Sequence, residues 1–198
     1  MNITVRVSGE SGLLLSGLTR SVMSGSNIIH TEIYSSPCGD LLLGSMDGRL
    51  CLCDWAAKPK RAETDAVLKW LSGADYVVAP SETTRMAAVQ LDEYFAGRRM
   101  SFDVPLLLFG TEFRRMVWEA LLGIPYGVAV SYRDMAERVG RRSAVRAVAA
   151  AVGANPVSIF VPCHRVIGSD GRLVGYAGGM EAKRMMLELE KSAGAVMR

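Results

Sequence analysis

Pro162-Cys163-His164-Arg165-Val166 sets a thiol beside an imidazole, the pairing in this chain best suited to covalent chemistry. Thiolate is the nucleophilic form of cysteine, and a neutral imidazole can take its proton. The apolar run Val157-Ser158-Ile159-Phe160-Val161 ahead of it predicts a short buried strand. Ile167-Gly168-Ser169-Asp170-Gly171 behind it predicts a turn. The pattern is that of a nucleophile at a strand-to-turn corner. Taken alone, it more commonly describes a buried structural cysteine beside a chance histidine.

The flanks separate those readings. Asn155-Pro156 stands upstream and Tyr176-Ala177-Gly178-Gly179 downstream; earlier come Ser131-Tyr132 and Ala144-Val145-Arg146-Ala147-Val148. In this order and spacing the segments resemble the O6-alkylguanine-DNA alkyltransferase family, also called methylated-DNA–protein-cysteine methyltransferases, whose active-site motif is Pro-Cys-His-Arg-Val. The resemblance is densest over 110–190, returns in Gln90-Leu91-Asp92-Glu93-Tyr94-Phe95-Ala96-Gly97, and fades toward the N-terminus.

The resemblance implies DNA repair by transfer of an alkyl group from O6 of guanine, with O4-alkylthymine a further candidate substrate, to Cys163. A thioether is not hydrolysed under cellular conditions, so the protein would act once, without cofactor or catalytic metal. It further implies that His164 receives the thiol proton through a bound water and that Glu190 orients its ring. Asn155 would tie the recognition helix to the active-site strand. Tyr132, Ser158, Val166, Tyr176 and Ala177 would meet the base, Val166 and Ala177 through backbone groups. On the DNA side, Arg146 would replace the extruded nucleotide in the stack, and Ala144, Ala147 and Ala151 would give the helix a small face. Arg138, Arg141 and Arg142 would hold phosphates. Many relatives carry Gly where Ala149 stands, some Ser where Ala177 stands, and some a basic residue where Gly153 stands.

The residues support part of this independently. The helix through Ala144, Ala147, Ala149, Ala150 and Ala151 has a single long polar side chain, Arg146. A major-groove reader needs several base-contacting groups, whereas a small-faced helix can approach any sequence closely. The alternatives are a non-catalytic DNA-binding regulator with Cys163 as sensor and a cysteine hydrolase. The first lacks a separate effector module, and the second leaves Arg146 unexplained.

These residues need elements to position them. Thr111 should cap a helix with Phe113, Met116, Val117, Ala120 and Leu121 on one face, ended by Gly123-Ile124-Pro125. Tyr132–Val139, a turn at Gly140, and a helix capped by Ser143 and running to Val152 make a helix-turn-helix. Met180–Glu190 should close the chain as an amphipathic helix. Before these, three short strands are expected at Thr31–Tyr34, Leu41–Leu43 and Leu50–Trp55. Helices should follow at Ala62–Leu71 and Thr83–Ala96, the second with Met86, Val89, Tyr94 and Phe95 near one face. Residues 72–82 read as a connection and Ser101–Phe109 as a linker. The expected class is α+β. A small sheet-plus-helix domain (1–104, with 1–29 an irregular extension and Ile3–Val7 a possible strand) precedes a mostly helical, winged-helix-like domain (105–198).

Charge divides the same way. Met1–Gly110 holds 10 basic and 12 acidic residues, and Thr111–Arg198 holds 13 basic and 8 acidic, so the net +3 conceals a basic C-terminal half. At 49% hydrophobic and 22% charged, with no apolar run near membrane length, the expectation is a cytoplasmic, monomeric protein whose partner is double-stranded DNA containing O6-alkylguanine. His30, Cys38, Cys51 and Cys53 match no standard zinc spacing; core packing is preferred, with Cys51 and Cys53 on one side of a strand. The N-terminal domain shows no chemistry of its own.

Overall fold

The computed structural model describes residues 28–59 and 61–196, so the expected extension and the Ile3–Val7 strand lie outside the described residues. Four strands form one sheet in the order β3-β2-β1-β4: β1 (Ile28–Ser36), β2 (Gly39–Met46), β3 (Arg49–Trp55) and β4 (Asp75–Val78). The first three make an antiparallel meander, and its Asp47-Gly48 turn has both residues at positive φ, as the Asp-Gly signal predicts. β4 runs parallel to β1 inside the expected connection. Its Val78 is 90% exposed, and this short edge strand carries too little apolar alternation to announce itself.

β3 contains an extra residue at Cys51, where the register with β2 shifts at Gly44/Ser45. A bulge reverses the in-out alternation. Cys53 therefore packs with Leu41, Leu43, Leu50 and Trp55 on one face, and Cys51 with Met46, Leu52 and Leu68 on the other. The expectation that both thiols share a side fails for that reason. His30, Cys38, Cys51 and Cys53 form no cluster able to hold a metal among the described residues.

Helix α1 (Arg61–Ser72) covers the Cys51 face through Leu68, and α2 (Glu82–Phe95) covers the Cys53 face. A reciprocal Ser81–Thr84 capping box starts α2, and Gly97, at φ +69°, ends the turn after it. Its buried stripe is Ala87, Leu91 and Tyr94, with Gln90 buried as a donor to Asp103. Met86 and Val89, expected inward, are 38% and 57% exposed. The stripe is small and polar enough that the larger apolar side chains mislead.

The expected linker is laid along the free edge of β3, with Leu50 N donating to Pro105 O at 2.8 Å and Leu107 N to Leu50 O at 2.9 Å. Beyond it, α3 (Glu112–Leu122) begins at its Thr111 cap and buries Val117, Trp118 and Leu121. The helix-turn-helix follows as α4 (Tyr132–Arg138) and α5 (Val145–Gly153), joined through Gly140 at φ +67°. Ala144, not Ser143, is the cap of α5, and it makes no side-chain capping bond. Trp118 Nε1 donates to Ala151 O at 2.8 Å, fixing α5 on α3. Two-residue strands β5 (Val130–Ser131) and β6 (Val166–Ile167) pair in parallel, and α6 (Gly179–Val196) closes the chain.

A candidate active site between the last helix and the recognition helix

The segment before Cys163 is a tight turn, not the expected strand. Ile159 sits at φ +72° and is 1% exposed, with Phe160 N bonded to Ser158 O and Val161 N to Val157 O, both at 2.9 Å. A β-branched residue avoids this region, and holding one there costs on the order of 1–3 kcal/mol. The surroundings impose it: Cys53 N donates to Pro156 O at 2.9 Å and Ser158 N to Cys53 O at 2.6 Å, so β3 grips the turn from the sheet side. The chain then enters one 3₁₀ turn, Cys163–Arg165, which directs three consecutive side chains into the protein.

Cys163 is 5% exposed, and its Sγ accepts from Asn155 Nδ2 at 3.2 Å. The same Nδ2 donates to Val161 O at 2.9 Å, and Asn155 Oδ1 accepts from Val157 N at 3.0 Å. Asn155 thus joins the end of α5 to the cysteine and touches the sulfur itself. Burial raises the thiol pKa, and the Asn155 hydrogen bond and the Lys183 charge oppose that rise. The resting group is a thiol that needs a base.

His164 is fully buried, with Nε2 2.8 Å from Glu190 Oε1. Burial would push the Glu190 carboxyl up, but hydrogen bonds and charge from His164 and Arg165 bring it down to about 2. A carboxylate only accepts, so Nε2 carries the ring proton, and burial holds the imidazole neutral. Nδ1 is then the lone pair, buried and without a hydrogen-bond partner. Arg165 supports this arrangement through Nε to Glu190 Oε2 and Nη2 to Oε1, each at 2.9 Å, and Nη1 to Ile124 O at 2.7 Å. Gly127 N also donates to Oε2 at 3.0 Å.

A narrow cleft at Cys163 is lined by Tyr132, Asn155, Ser158, Tyr176 and Ala177. Tyr132 donates to Val174 O at 3.3 Å. The Tyr176 hydroxyl is buried close to Trp55 and Ser158 without meeting hydrogen-bond geometry, and its ring meets the Trp55 indole edge-on at 5.9 Å. A larger cleft between α1, α3 and α5, lined in part by Val67, Phe109, Arg114 and Gly153, has no cysteine or histidine among the described residues that line it.

The N-terminal residues 29–108 match the model of the 6-O-methylguanine DNA methyltransferase ribonuclease-like domain, and 112–192 that of the 6-O-methylguanine DNA methyltransferase DNA-binding domain. The chain belongs to the methylated-DNA–protein-cysteine methyltransferase family. A Mycobacterium leprae member is 45% identical over 168 residues, covering 83% of this chain and 93% of the relative. One from Methanosarcina barkeri is 40% identical over 164 residues, covering 83% and 98%. The crystal structure of Mycobacterium tuberculosis OGT in complex with DNA superposes with a TM-score of 0.72 at 41% identity, over 84% of this chain and 94% of that one.

Against that family background, Cys163, His164, Glu190, Asn155, Tyr132, Ser158, Tyr176 and Ala177 gather around one cleft and the buried carboxylate behind it. Val166 is buried at its edge, its carbonyl accepting from Lys183 Nζ at 2.6 Å. Arg146 and Ala147 share the exposed face of α5 with Ala150 and Gly153. Ala144 is half-buried at the cap. Ala151, expected on that face, is 2% exposed and turned against α3, because the helical period puts it with Val148 and Val152. Arg138, Arg141 and Arg142 are exposed around the helix-turn-helix, with Arg142 Nε 3.6 Å from Glu137.

Sequence reasoning missed two participants. Lys183, fully buried, donates to Val166 O at 2.6 Å and Val174 O at 2.9 Å, and burial brings its ammonium down to about 8. It stands one turn from Met180 and Gly179, where an amphipathic helix reads as a solvated lysine. Tyr94 reaches Glu190 from the N-terminal half.

Proposed function

We propose that this protein repairs O6-alkylguanine in duplex DNA by one irreversible transfer of the alkyl group to Cys163. Residues 105–198 bind DNA and accept the alkyl group, and the sheet-plus-helix residues 28–104 support them. The observation that carries the reading is a buried thiol held by Asn155 beside a His164–Glu190 pair, at the foot of an exposed, small-faced helix.

O6 lies inside the duplex, so the damaged nucleotide turns out of the stack into the cleft, at a cost of a few kcal/mol that is lower for a badly paired base. Arg146 fills the gap left in the stack. Arg138, Arg141 and Arg142 hold phosphates without reading sequence. Tyr132 bonds the flipped base, and backbone groups of Val166 and Ala177 recognise guanine. Through a bridging water, Nδ1 of His164 takes the thiol proton, and Glu190 stabilises the imidazolium that forms. The thiolate attacks the alkyl carbon, a C–S bond forms, and the carbon–O6 bond breaks. O6 leaves with the electron pair as a carbonyl, helped by the N–H of Ala177, and the guanine anion takes a proton at N1, the thiol proton passed to His164 closing the balance. The thioether persists, so the protein acts once; one chain holds every residue named, and the protein acts as a monomer.

Arg146→Ala separates flipping from chemistry. Transfer from a duplex oligonucleotide should slow by roughly tenfold or more, as expected for losing ~1.4 kcal/mol or more of stabilisation of the flipped state. Reaction with the free alkylated base should change by less than about twofold, since no stack is opened. Parallel single-turnover rates on both substrates make the comparison. Equal losses on both would remove Arg146 from the flipping step.

A further inference from the structure

Glu190 Oε1 receives His164 Nε2 at 2.8 Å, and it also receives the phenol of Tyr94 at 2.9 Å, a residue 96 positions earlier on α2. Both side chains are fully buried, so neither bond is shared with solvent. The Tyr94 ring is fixed among aromatics, with centroids 5.2 Å from Phe95, 5.6 Å from Phe102 and 6.2 Å from Tyr126. This packing aims the hydroxyl at the carboxylate. Burial, reinforced by Glu190, raises the phenol pKa well above its ordinary value, so it stays a donor throughout the working range.

We propose that Tyr94 is a positioning residue for alkyl transfer: by sharing Glu190 Oε1 with His164 it sets how readily the imidazole accepts a second proton. The inference rests on the proposed role of His164 as the base. His164 faces Glu190 and Lys183 from α6 and Arg165 from its own turn, and Cys163 adjoins it in sequence. Tyr94 and Tyr126 approach Glu190 from α2 and from the loop after α3. Arg165 and Lys183 disfavour an imidazolium, and Glu190 is the group that favours one. A donor on Oε1 draws charge away from the Nε2 hydrogen bond and lowers the ring's basicity. A neutral His164 keeps the Nδ1 lone pair, so Tyr94 extends the working range toward acid.

The sign follows directly. In Tyr94→Phe, Glu190 holds His164 more strongly, the imidazolium forms at higher pH, and transfer is lost sooner as pH falls. The acid limb of the single-turnover rate from O6-methylguanine duplex should move up by roughly half a unit to one unit, the size expected for one hydrogen bond. The NMR titration of His164 in DNA-free protein should move with it; the chain has two histidines, so His30 serves as internal reference. Incorporating 3-fluorotyrosine at position 94 keeps the ring and strengthens the donor, and it should move the titration the other way. Leu68→Ala, which thins the core on the other face of the sheet without touching Tyr94 or Glu190, should lower the thermal midpoint and leave the pH midpoint in place. A uniform rate loss in Tyr94→Phe with an unmoved His164 titration would overturn the inference and leave Tyr94 as packing. A wild-type protein that transfers no methyl group would instead defeat the functional reading, and the NMR titration would still decide the Tyr94–His164 coupling.

Discussion

Cys163→Ala is expected to abolish alkyl transfer while leaving affinity for O6-methylguanine duplex within about twofold of wild type. The sulfur makes one side-chain hydrogen bond, from an Asn155 amide that also donates to Val161 O. Removing it leaves one of the two Asn155 amide hydrogens without its weak sulfur acceptor, and only a small volume is lost, with a stability cost on the order of 1–2 kcal/mol. In the proposed reading DNA meets the exposed face of α5, and Cys163 lies outside that face. Fluorescence anisotropy measures binding, and a methyl-transfer assay on the same duplex measures chemistry. Residual transfer above a few per cent would mean that another group is the acceptor. Cys38, Cys51 and Cys53 are the available thiols, and all three have raised pKa values with burial as the main cause.

Glu190→Ala should have the largest effect on stability. It leaves Arg165 buried without its counter-charge and strips His164, Tyr94 and Gly127 of an acceptor. Breaking a buried ion pair on one side costs about 3–5 kcal/mol, which for a chain of this size lowers the thermal midpoint by roughly 10 °C. The effect should depend on pH with a fixed sign. The carboxyl falls from its ordinary 4.5 to about 2 in the folded state, so the unfolded chain binds its proton first as pH drops. The stabilisation, about 3 kcal/mol at 1.36 kcal/mol per unit, is fully present above about pH 5 and disappears as pH falls toward 2. His164, held neutral by burial, adds to the same acid lability. Thermal midpoints of wild type and variant, measured from pH 7 to pH 3, should therefore converge at low pH. A gap that stays constant would show that Glu190 acts through shape alone.

The fold was legible where sequence punctuation is strong. Asp47-Gly48, the Thr111 cap, Gly97 and Gly140 all mark real boundaries, because each is a local backbone requirement that few residues meet. What escaped depends on partners distant in sequence. The Ile159 turn reads as a strand because its residues are apolar and β-branched; only the grip of β3 and the need to deliver Cys163 hold it at positive φ. The bulge at Cys51 leaves no trace in composition, yet it decides which face each thiol takes. β4 is too short to show a period.

At the site, the candidate residues were legible through motif resemblance, while the pairing of Arg165 with Glu190 and Ile124 O, 25 and 41 positions away, was not. Lys183 and Tyr94 were not legible. A lysine on an amphipathic helix and a tyrosine in a helix stripe both have ordinary explanations until packing places them on Val166 O and on Glu190. Ala151 shows the same limit from the other side: an alanine-rich helix does not announce which alanines stay exposed, and burial with Val148 and Val152 settles which way this one points.

The most direct test of the account is mass spectrometry of the full chain after mixing with duplex DNA containing one O6-methylguanine. The account predicts a gain of a single methyl group, saturating at one equivalent, with peptide mapping assigning it to Cys163. Unchanged protein mass with the lesion still tightly bound, or methyl on any other residue, would contradict it.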